Sequence, residues 1–409
     1  MNKVPEGWNL VSIGDIAKLT AGGTPSTSRT EYWENGNIPW MTSGDVHKRV
    51  IRDVKGRITE KGLKASATKI IPVKSIFVAL AGQGKTRGTV AISEIELTTN
   101  QSIAAIIIKN KDVNPYYIFH NLSNRYEELR SESGGSGRAG LNLQILSDIA
   151  LSLPPFAEQS KIAEILSSVD RSIEATENLM AKLADLKKAL MQELFTKGIG
   201  HTKFKNSPLG RIPEEWEVTN LDKISTKITD GEHQTPSRTK DGIYLLSARN
   251  VLNGKLALED VDYIPQCEYD RISTRCNPQS GDILISCSGT IGRVCIVPDN
   301  ITFALVRSVA LIKLKKTEAN PNFIAQALQS PQLQEQIGAS ISQLAQGNLF
   351  QGQIKRLMLP LPSLKEQTEI ASILSASDAK IEKAKSRLNK LQDMKKGLMQ
   401  DLLTGKVRV

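Results

Sequence analysis

Apolar residues recur at steps of three and four along one long stretch of the chain, Pro154 to Thr196. The residues that share this spacing are Ile162, Leu166, Val169, Ile173, Met180, Leu183, Leu186, Leu190 and Leu194. The stretch contains no glycine and no proline after Pro155. This periodicity predicts one long amphipathic helix. At about 1.5 Å per residue, a helix of roughly forty residues forms a rod about 60 Å long.

The same pattern occurs again at the C-terminus. Glu158-Gln159 is repeated as Glu366-Gln367, an offset of 366 − 158 = 208, and 20 of the 39 positions from 158 to 196 are identical at this offset. The segment VPEGW, which ends at Trp8, is repeated at the same offset as IPEEW, which ends at Trp216. The chain therefore consists of two copies of one unit, each a variable block followed by a long helix.

Each variable block contains many short apolar or alternating runs between polar, glycine-containing loops. Strands are predicted at IPWMTSGDV, ATKIIPV, KSIFVAL, TVAIS and SIAAIIIK in the first block. In the second block they are predicted at GIYLLSARNV, on both sides of the glycine loop in GDILISCSGTIGRVCIV, and at FALVRSVALIKL. Asn114-Pro115 and Asn320-Pro321 each predict a capped helix start. The basic segment TKGIGHTKFKNSPLGR, which follows the first long helix, is typical of a linker.

These elements predict an α+β fold class, with two pseudo-repeated mixed α/β domains joined by two long helices. We expect the helices to pack antiparallel as a coiled coil with a pseudo-twofold axis, although a dimerisation stalk is the simpler alternative. The expected boundaries are residues 1–155 for the first domain, 156–197 for the first helix, 198–362 for the linker and second domain, and 363–409 for the second helix.

The composition favours a polyanionic partner. The formal net charge is +10 and the sequence pI is about 9.3, which suggests nucleic acid or an anionic membrane surface. No apolar run approaches the roughly 20 residues of a membrane span, and the N-terminus lacks the apolar core of a signal peptide. A cytoplasmic location is therefore expected.

Cysteine usage argues against a metal centre. The four cysteines, Cys267, Cys276, Cys287 and Cys295, all lie in the second block without a CxxC pair. This spacing disfavours a zinc site. Reduced thiols on strands are expected instead.

Two motifs have an enzymatic interpretation that the surrounding residues disfavour. ALAGQGKT fits a loose P-loop, but the RGTVAIS that follows predicts a strand where a P-loop needs a helix. A glycine hairpin that presents Lys85 and Arg87 to a phosphodiester backbone is the preferred interpretation. Asn114-Pro115-Tyr116-Tyr117 resembles the NPPY box of amino-methyltransferases but lacks its second proline. The sequence indicates no catalytic residues, no metal site and no cofactor.

Residue types that read base edges and phosphates are concentrated in the loops of both blocks. The candidate DNA-binding residues are Thr24, Ser26, Thr27, Arg29, Thr42, Ser43, Gln83, Lys85, Thr86, Arg87 and Arg138 in the first block, and Gln234, Thr235, Arg238, Arg249, Asn250, Ser288, Thr290, Arg293, Gln346 and Asn348 in the second. Arginine favours guanine in the major groove, and asparagine or glutamine favours adenine. Each residue alone is as typical of a solvated loop, but the recurrence of the set in both blocks favours an interface.

The chain resembles the specificity subunit of type I restriction–modification systems. The resemblance rests on the two helix starts LPPFAEQSKIAEIL and LPSLKEQTEIASIL, and on VPEGW, IPEEW, GGTPS, AGQGKTRG, GDILISCSGTIGRV and KKALMQELFTKGIG. These stretches span nearly the whole chain. The Glu-Gln helix in two copies is highly specific, whereas the loop motifs alone are weak.

The resemblance implies that each variable block is a target-recognition domain that reads one half of a split site in double-stranded DNA. It also implies that the helices set the spacing and dock two modification (adenine methyltransferase) subunits, with ATP-dependent restriction (translocase and nuclease) subunits in the full complex. The chain itself would be non-catalytic and would not contact a membrane. The helix residues implied in spacing and docking are Glu158, Gln159, Ile162, Leu166, Glu366, Gln367, Ile370 and Leu374.

Other functions remain open at this point. The first alternative is the specificity subunit of another DNA-modification or phage-defence methyltransferase that lacks a translocating nuclease. An unrelated DNA-binding regulator accounts for fewer of these features, and a P-loop enzyme for the fewest.

Overall fold

The computed structural model describes residues 4–82, 84–131, 141–342 and 347–409. The chain divides into two compact units. Unit 1 comprises Met1–Glu177 and Ser386–Val409, and unit 2 comprises Asn178–Lys385. Each unit contains one variable block and one segment of each long helix.

Unit 1 consists of short strands and helices, with two main sheets of five and three strands and a separate two-stranded pair. Its strands are β1 (Asn9–Ser12), β2 (Ala17–Ala21), β3 (Ile38–Met41), β4 (Val50–Ile51), β5 (Arg57–Ile58), β6 (Ile76–Ala79), β7 (Val90–Ser93), β8 (Thr98–Thr99), β9 (Ile103–Ile108) and β10 (Ala150–Leu153). Its helices are α1 (Ile13–Ile16), α2 (Glu60–Lys64), α3 (Pro115–Asn124), α4 (Tyr126–Ser131), α5 (Leu143–Asp148) and α6 (Phe156–Leu194), of which α6 continues into unit 2. Short 3-10 turns cover Thr30–Tyr32 and Ser43–Lys48.

The larger sheet of unit 1 has the strand order β2-β9-β6-β7-β4, and the smaller sheet has the order β5-β3-β8. Strand β9 is antiparallel to both β2 and β6, whereas β3 is parallel to β8. Successive side chains of a strand point to opposite faces. On β6, Ile76 and Val78 belong to one hydrophobic cluster, and Phe77 and Ala79 belong to another. The sheet is therefore buried on both faces.

Unit 2 repeats this arrangement with different side chains. Its strands are β11 (Phe204–Ser207), β12 (Gly210–Pro213), β13 (Glu217–Asn220), β14 (Ser225–Asp230), β15 (Ile243–Leu246), β16 (Val251–Leu252), β17 (Lys255–Leu256), β18 (Asp262–Ile264), β19 (Ile283–Ser286), β20 (Val294–Ile296), β21 (Phe303–Leu305), β22 (Val309–Leu314) and β23 (Met358–Leu361). Its helices are α7 (Gln266–Ser273), α8 (Pro321–Gln329), α9 (Pro331–Ser342), α10 (Gln351–Arg356) and α11 (Leu364–Leu402), of which α11 continues into unit 1. A 3-10 turn covers Ala248–Asn250.

The sheets of unit 2 correspond to those of unit 1. The larger sheet has the order β14-β22-β19-β20, with β22 antiparallel to β14 and β19. The smaller sheet has the order β18-β15-β21, with β15 parallel to β21. The predicted mixed α/β repeat and both long helices are confirmed.

The long helices pack against each other within each unit. In unit 1, Ile162 and Leu166 of α6 share a hydrophobic core with Leu402 of α11, and Lys395 Nζ lies 2.6 Å from Asp170 Oδ1. In unit 1 the early residues of α6 therefore contact the late residues of α11, which makes the two segments antiparallel.

The helix segments of unit 2 are antiparallel as well. Late residues of α6, Met191 and Leu194, share a core with Leu374 near the start of α11. Lys187 Nζ lies 2.5 Å from Asp378 Oδ1. These residues are the repeat partners of Lys395 and Asp170, so each unit contains the same ion pair between its helix segments.

Several predicted strands differ from the structure. ATKIIPV forms only an isolated bridge, between Ile71 and Leu97, because Pro72 offers no backbone N–H for a ladder. FALVRSVALIKL splits into β21 and β22 around a turn in which Val309 N donates to Val306 O. IPWMTSGDV and GIYLLSARNV each leave the sheet after four residues, at Met41 and Leu246, and continue into 3-10 turns.

The predicted linker and the predicted cysteine positions also need correction. Part of TKGIGHTKFKNSPLGR forms the antiparallel hairpin β11–β12. Of the four free cysteines, only Cys295 lies in a strand, and Cys267 lies in α7. Burial raises the pKa of Cys276 to about 11 and the pKa of Cys287 and Cys295 to about 12, so these three thiols stay protonated at neutral pH.

Candidate nucleic-acid interface

The start of each long helix anchors the variable block of its unit. In unit 1, the Trp8 indole Nε1 donates to Glu158 Oε2 at 3.2 Å, and Arg408 Nε donates to Glu158 Oε1 at 2.6 Å. In unit 2, Trp216 Nε1 donates to Glu366 Oε2 at 2.9 Å. The two repeated sequence motifs, Pro-Glu-x-Trp and Glu-Gln, therefore meet in each unit.

The glutamine of the Glu-Gln motif holds the cap of the next helix. Gln159 is 1% exposed. Its Oε1 accepts from Asn114 N at 2.8 Å, and its Nε2 donates to Asp112 O at 3.0 Å and Pro154 O at 2.8 Å. The Asn114 side chain in turn accepts from the first N–H groups of α3. The predicted Asn-Pro helix cap is confirmed, and the motif fixes where α3 begins.

Gln367 makes the same three bonds in unit 2. Its Oε1 accepts from Asn320 N at 2.8 Å, and its Nε2 donates to Glu318 O at 3.1 Å and Pro362 O at 2.9 Å. Each unit therefore has one buried amide that ties the long helix to the sheet-flanking helix.

With the sheets fixed in this way, several strand ends meet at one edge of unit 1. Near its start, β9 pairs with the last residues of β2 and β6. Strand β8 ends just before β9, and the parallel strand β3 ends beside β8. We call this edge, formed by the carboxyl ends of β2, β3, β6 and β8, the loop edge of unit 1.

Unit 2 has a loop edge of the same construction. Near its start, β22 pairs with the ends of β14 and β19, and the parallel strands β15 and β21 end beside each other. A glycine follows β2 and β14 at the same point. A Cβ on Gly22 would lie 1.9 Å from Thr99 O, and a Cβ on Gly231 would lie 2.3 Å from Leu305 O. Only glycine allows the chain to pass so close to the end of the neighbouring strand.

The loop edge of unit 1 includes the β6–β7 hairpin with its glycine-rich loop. Gly88 N donates to Ala79 O at 2.9 Å and closes the hairpin. Gly84 and Gly88 have φ values of 60° and 81°, which glycine tolerates best. The loop leads into a strand rather than a helix, so the phosphate-binding helix start of a P-loop is not formed here. The predicted hairpin is confirmed.

Charges at the loop edge of unit 2 are mostly paired. Asp230 Oδ2 accepts from His233 Nε2 at 2.7 Å. Glu232 lies 3.1 Å from Arg271 Nη1. The pKa of Glu232 is lowered, first because the backbone N–H of Gln234 donates to its carboxylate. Beside these groups lies a cavity of about 310 Å³, whose lining includes His233, Ser288, Arg307, Ser308 and Asn348.

A family model described as the type I restriction modification DNA specificity domain matches the chain twice, at residues 5–184 and 213–393. The chain belongs to this specificity family. The two matches start 213 − 5 = 208 residues apart, which is the offset of the repeat, so each copy of the repeat matches the specificity domain.

The alignments with relatives cover most of the length of this chain. The type I restriction enzyme MjaVIII specificity subunit of Methanocaldococcus jannaschii is 29% identical over 414 residues, which cover 100% of this chain and 94% of the relative. The putative type I restriction enzyme MjaX specificity subunit of the same organism is 31% identical over 313 residues, which cover 74% of this chain and 70% of the relative.

A solved structure supports the fold. The crystal structure of the type I restriction–modification system S subunit from M. genitalium matches with a TM-score of 0.63 at 16% identity, and the match covers 98% of this chain and 97% of that one.

Among the helices that the structure describes, none is both long enough and apolar enough to cross a membrane.

Most of the predicted DNA-binding residues come from loops that leave the loop edges. In unit 1 these are Thr24, Ser26, Thr27 and Arg29 after β2, Thr42 and Ser43 after β3, and Lys85, Thr86 and Arg87 after β6. In unit 2 they are Gln234, Thr235 and Arg238 after β14, Arg249 and Asn250 after β15, and Ser288, Thr290 and Arg293 after β19, with Asn348 beside Ser288 in the cavity. Gln83, Arg138 and Gln346 lie outside the described residues.

The side chains of these predicted residues differ in whether they already bind another group of the chain. Arg29 donates to Tyr32 Oη at 3.0 Å, and Thr86 Oγ1 lies 3.1 Å from His47 Nε2. Within the described part of the chain, no acidic group pairs with Lys85 or Arg87. Both cations are therefore available to a phosphate.

Three predicted residues are already engaged in local contacts. Thr42 belongs to a capping box with Asp45. Arg249 and Arg238 lie 3.2 Å and 3.6 Å from Asp262. A ligand would have to compete with these bonds.

The prediction that Asn250 contacts DNA needs correction. It is 1% exposed. Its Nδ2 donates to Ala257 O at 3.0 Å and Asp260 O at 2.8 Å, and its Oδ1 accepts from Ser247 N. Its hydrogen bonds go to Ser247, just before its own 3-10 turn, and to two carbonyls that follow the β16–β17 hairpin, so it does not face a ligand.

The implied docking residues of the helices are also engaged inside their own units. The buried ones are Glu158, Gln159, Ile162, Leu166, Gln367, Ile370 and Leu374, and Glu366 is nearly so, with a side chain 12% exposed. A buried side chain has no surface to offer a partner. Docking, which stays a prediction, therefore has to use other residues of the helices.

Sequence reasoning missed Gln101, His233 and Arg307, which lie at the loop edges. The sequence pattern predicts Arg307 inside one continuous strand, FALVRSVALIKL, whereas Arg307 lies in the turn between β21 and β22. One sequence signal could have identified Gln101 and Arg307. Each is a polar residue two positions before the start of a long apolar strand, β9 or β22.

Proposed function

We propose that this chain is the DNA-recognition subunit of a type I restriction–modification complex, in which each unit reads one half of a split target. The observation that carries the proposal is the repeated loop edge. In both units, the ends of four equivalent strands bring polar and basic loops together on one scaffold. Membership of the specificity family and the names of the relatives support the same function.

The loop edges offer the two kinds of contact that sequence recognition needs. Phosphate contacts position a protein on the duplex, and base-edge contacts specify the sequence. Lys85 and Arg87 on the β6–β7 hairpin suit the first role, since no acid among the described residues opposes them. The exposed hydroxyl, amide and guanidinium groups of the other loops suit the second. The net charge of +10 favours approach to DNA.

The chemistry of modification belongs to partners in this proposal. Two adenine methyltransferase subunits dock on the long helices, and ATP-dependent restriction subunits complete the complex. Exposed apolar residues of the helices are the best candidates for this contact: Leu179 at 45%, Leu186 at 51%, Ile373 at 40% and Met394 at 55% exposure. The helices also set the distance between the two half-sites. The chain itself has no catalytic site in this proposal. Its glycine-rich loop contacts the phosphates of the DNA backbone.

A selection experiment tests the proposal. The chain is co-purified with its methyltransferase partner, and the complex selects binding sites from a library of random duplex DNA. The enriched sites should contain two specified half-sites separated by a fixed number of unread positions. Enrichment of a single continuous motif, or of no motif above background, would contradict the proposal. A second selection at higher salt should weaken binding without changing the motif.

A further inference from the structure

The two loop edges carry different side chains at equivalent places. Thr24 is the third residue after β2, and His233 is the third residue after β14. Gln101 is the second residue after β8, and Arg307 is the second residue after β21. Gly22, two residues before Thr24, lies against the end of β8, and Gly231, two residues before His233, lies against the end of β21. The chain therefore approaches the neighbouring strand in the same way in both units. The same backbone arrangement therefore carries Thr24 and Gln101 in unit 1, and His233 and Arg307 in unit 2.

In unit 1, this pair is joined by a hydrogen bond. The Thr24 hydroxyl donates to Gln101 Oε1 at 2.6 Å, and both residues are exposed. The bond fixes the orientation of the amide, while Nε2 keeps both hydrogens and Oε1 keeps a second lone pair. A donor and an acceptor held side by side match N7 and N6 of adenine in the major groove.

In unit 2, the equivalent position carries an unopposed positive charge. Arg307 is exposed, and none of the described residues pairs with its guanidinium. Asp230, which lines the same cavity, is already paired with His233 Nε2 at 2.7 Å and with Arg275 Nη1 at 3.3 Å. Glu232, whose carbonyl accepts from Arg307 N, pairs its carboxylate with Arg271 Nη1 at 3.1 Å. A free guanidinium matches O6 and N7 of guanine, the commonest specific contact of arginine with DNA.

We infer that Gln101 and Arg307 are equivalent base-reading residues, Gln101 for an adenine in one half of the target and Arg307 for a guanine in the other. The inference rests on the proposed function and adds to it the residue and the base at one position of each half-site. Differences between half-sites then arise from substitution at these positions, while the glycines and strand ends stay the same.

The test exchanges the two side chains. Arg307→Gln and Gln101→Arg are made separately, and each complex with the methyltransferase partner selects sites from random duplex DNA. Arg307→Gln should lose the preference for guanine at one position of one half-site and gain adenine there, with affinity for the original site reduced about tenfold to a hundredfold. Gln101→Arg should change one position of the other half-site from adenine to guanine.

A matched control is Arg211→Gln, which removes an exposed arginine from the β11–β12 hairpin and should leave the selected sequence unchanged. If both loop-edge variants select the wild-type sequence, the inference is wrong, while the split wild-type target still supports the proposed function. A uniform loss of affinity for all sequences would also overturn it, because that is the behaviour of a phosphate contact. A wild-type complex that selects no split target would overturn the proposed function itself.

Discussion

The indole Nε1 of Trp216 donates a hydrogen bond to Oε2 of Glu366 at 2.9 Å. Trp216 precedes the variable block of unit 2 and Glu366 follows it, at a separation of 150 positions in sequence. His201 Nε2 also donates to the same carboxylate, at 2.9 Å. The bond joins the two ends of the block at the start of α11, and Trp8 and Glu158 repeat it in unit 1. A block held at both ends in this way can change its loops without changing its anchorage.

Trp216→Phe tests this anchorage. Trp216 is 1% exposed, and phenylalanine keeps most of its bulk but removes the N–H donor. Hydrogen bonds to charged groups contribute about 1.5–3 kcal/mol, so the free energy of unfolding should fall by about 2 kcal/mol. The urea midpoint of the purified chain measures this change. Trp33→Phe is the control, because Trp33 donates only to a loop carbonyl, Ser26 O. Equal shifts in both variants would contradict the anchoring role.

Gln367→Leu should destabilise unit 2 more strongly than a glutamine substitution elsewhere on α11. Leucine has a similar size but leaves Asn320 N and the carbonyls of Glu318 and Pro362 without their partner. Buried groups that lose a hydrogen bond cost about 1–3 kcal/mol each. The control is Gln392→Leu, at an exposed position of the same helix. Thermal unfolding of the two variants compares them, and a Tm loss no greater for Gln367→Leu would rule out the capping role of the Glu-Gln motif.

Lys85→Ala should weaken DNA binding by the assembled complex to a similar extent for all sequences. Because one phosphate contact is lost, the slope of log K against log[salt] should decrease in magnitude by about one. Binding titrations at several salt concentrations measure this slope. Lys109→Ala is the matched control, since Lys109 is exposed just after the opposite end of β9. An unchanged slope for Lys85→Ala would exclude the hairpin from the phosphate interface.

Buried His120 predicts a pH dependence of the stability of unit 1. Burial lowers the pKa of His120 well below its usual 6.5, and Lys395 and Arg49 lower it further. The folded state therefore keeps His120 neutral, while the unfolded state binds a proton below pH 6.5. Stability should be full above pH 6.5 and should fall by roughly 1 kcal/mol at pH 5.5.

His120→Gln provides the reference for this effect. Glutamine stands at the equivalent position of α8 in unit 2, where Gln326 Nε2 donates to Asp378 Oδ2 at 2.7 Å. The variant should lose the part of the pH dependence between pH 7.5 and 5.5 that His120 causes. Urea unfolding at both pH values measures the difference. Parallel loss of stability in the wild type and the variant would mean that His120 does not titrate on unfolding.

The features that could be predicted from sequence are those that depend on local spacing. The 3.6-residue periodicity gave α6 and α11, the Asn-Pro pairs gave two helix caps, and the glycine-rich segment before an alternating run gave the β6–β7 hairpin. The rest depends on contacts between distant residues. Asn250 is polar and lies in a loop, yet it is buried. Its amide binds the carbonyls of Ala257 and Asp260, which reach it only when the β16–β17 hairpin has folded.

Long-range pairing also determines the candidate interface. Gln101 and Arg307 lie at a loop edge because β9 and β22 run antiparallel to two neighbours, and β3 and β15 run parallel to theirs. Strand direction and neighbours cannot be read from periodicity. In the same way, nothing in the local pattern around Gln159 distinguishes a buried amide that binds Asn114 from an exposed one that binds a partner.

Two independent readers in one chain predict a specific result when one block is exchanged. Residues Asn9–Leu153 would be replaced with the matching block of a relative whose target is known, and the methylated adenines would be mapped in DNA from cells that carry the chimaera and its methyltransferase partner. One half of the methylated sequence should change to the half-site of the donor, while the other half stays as in the wild type. A change in both halves, or in neither, would contradict two separate recognition units.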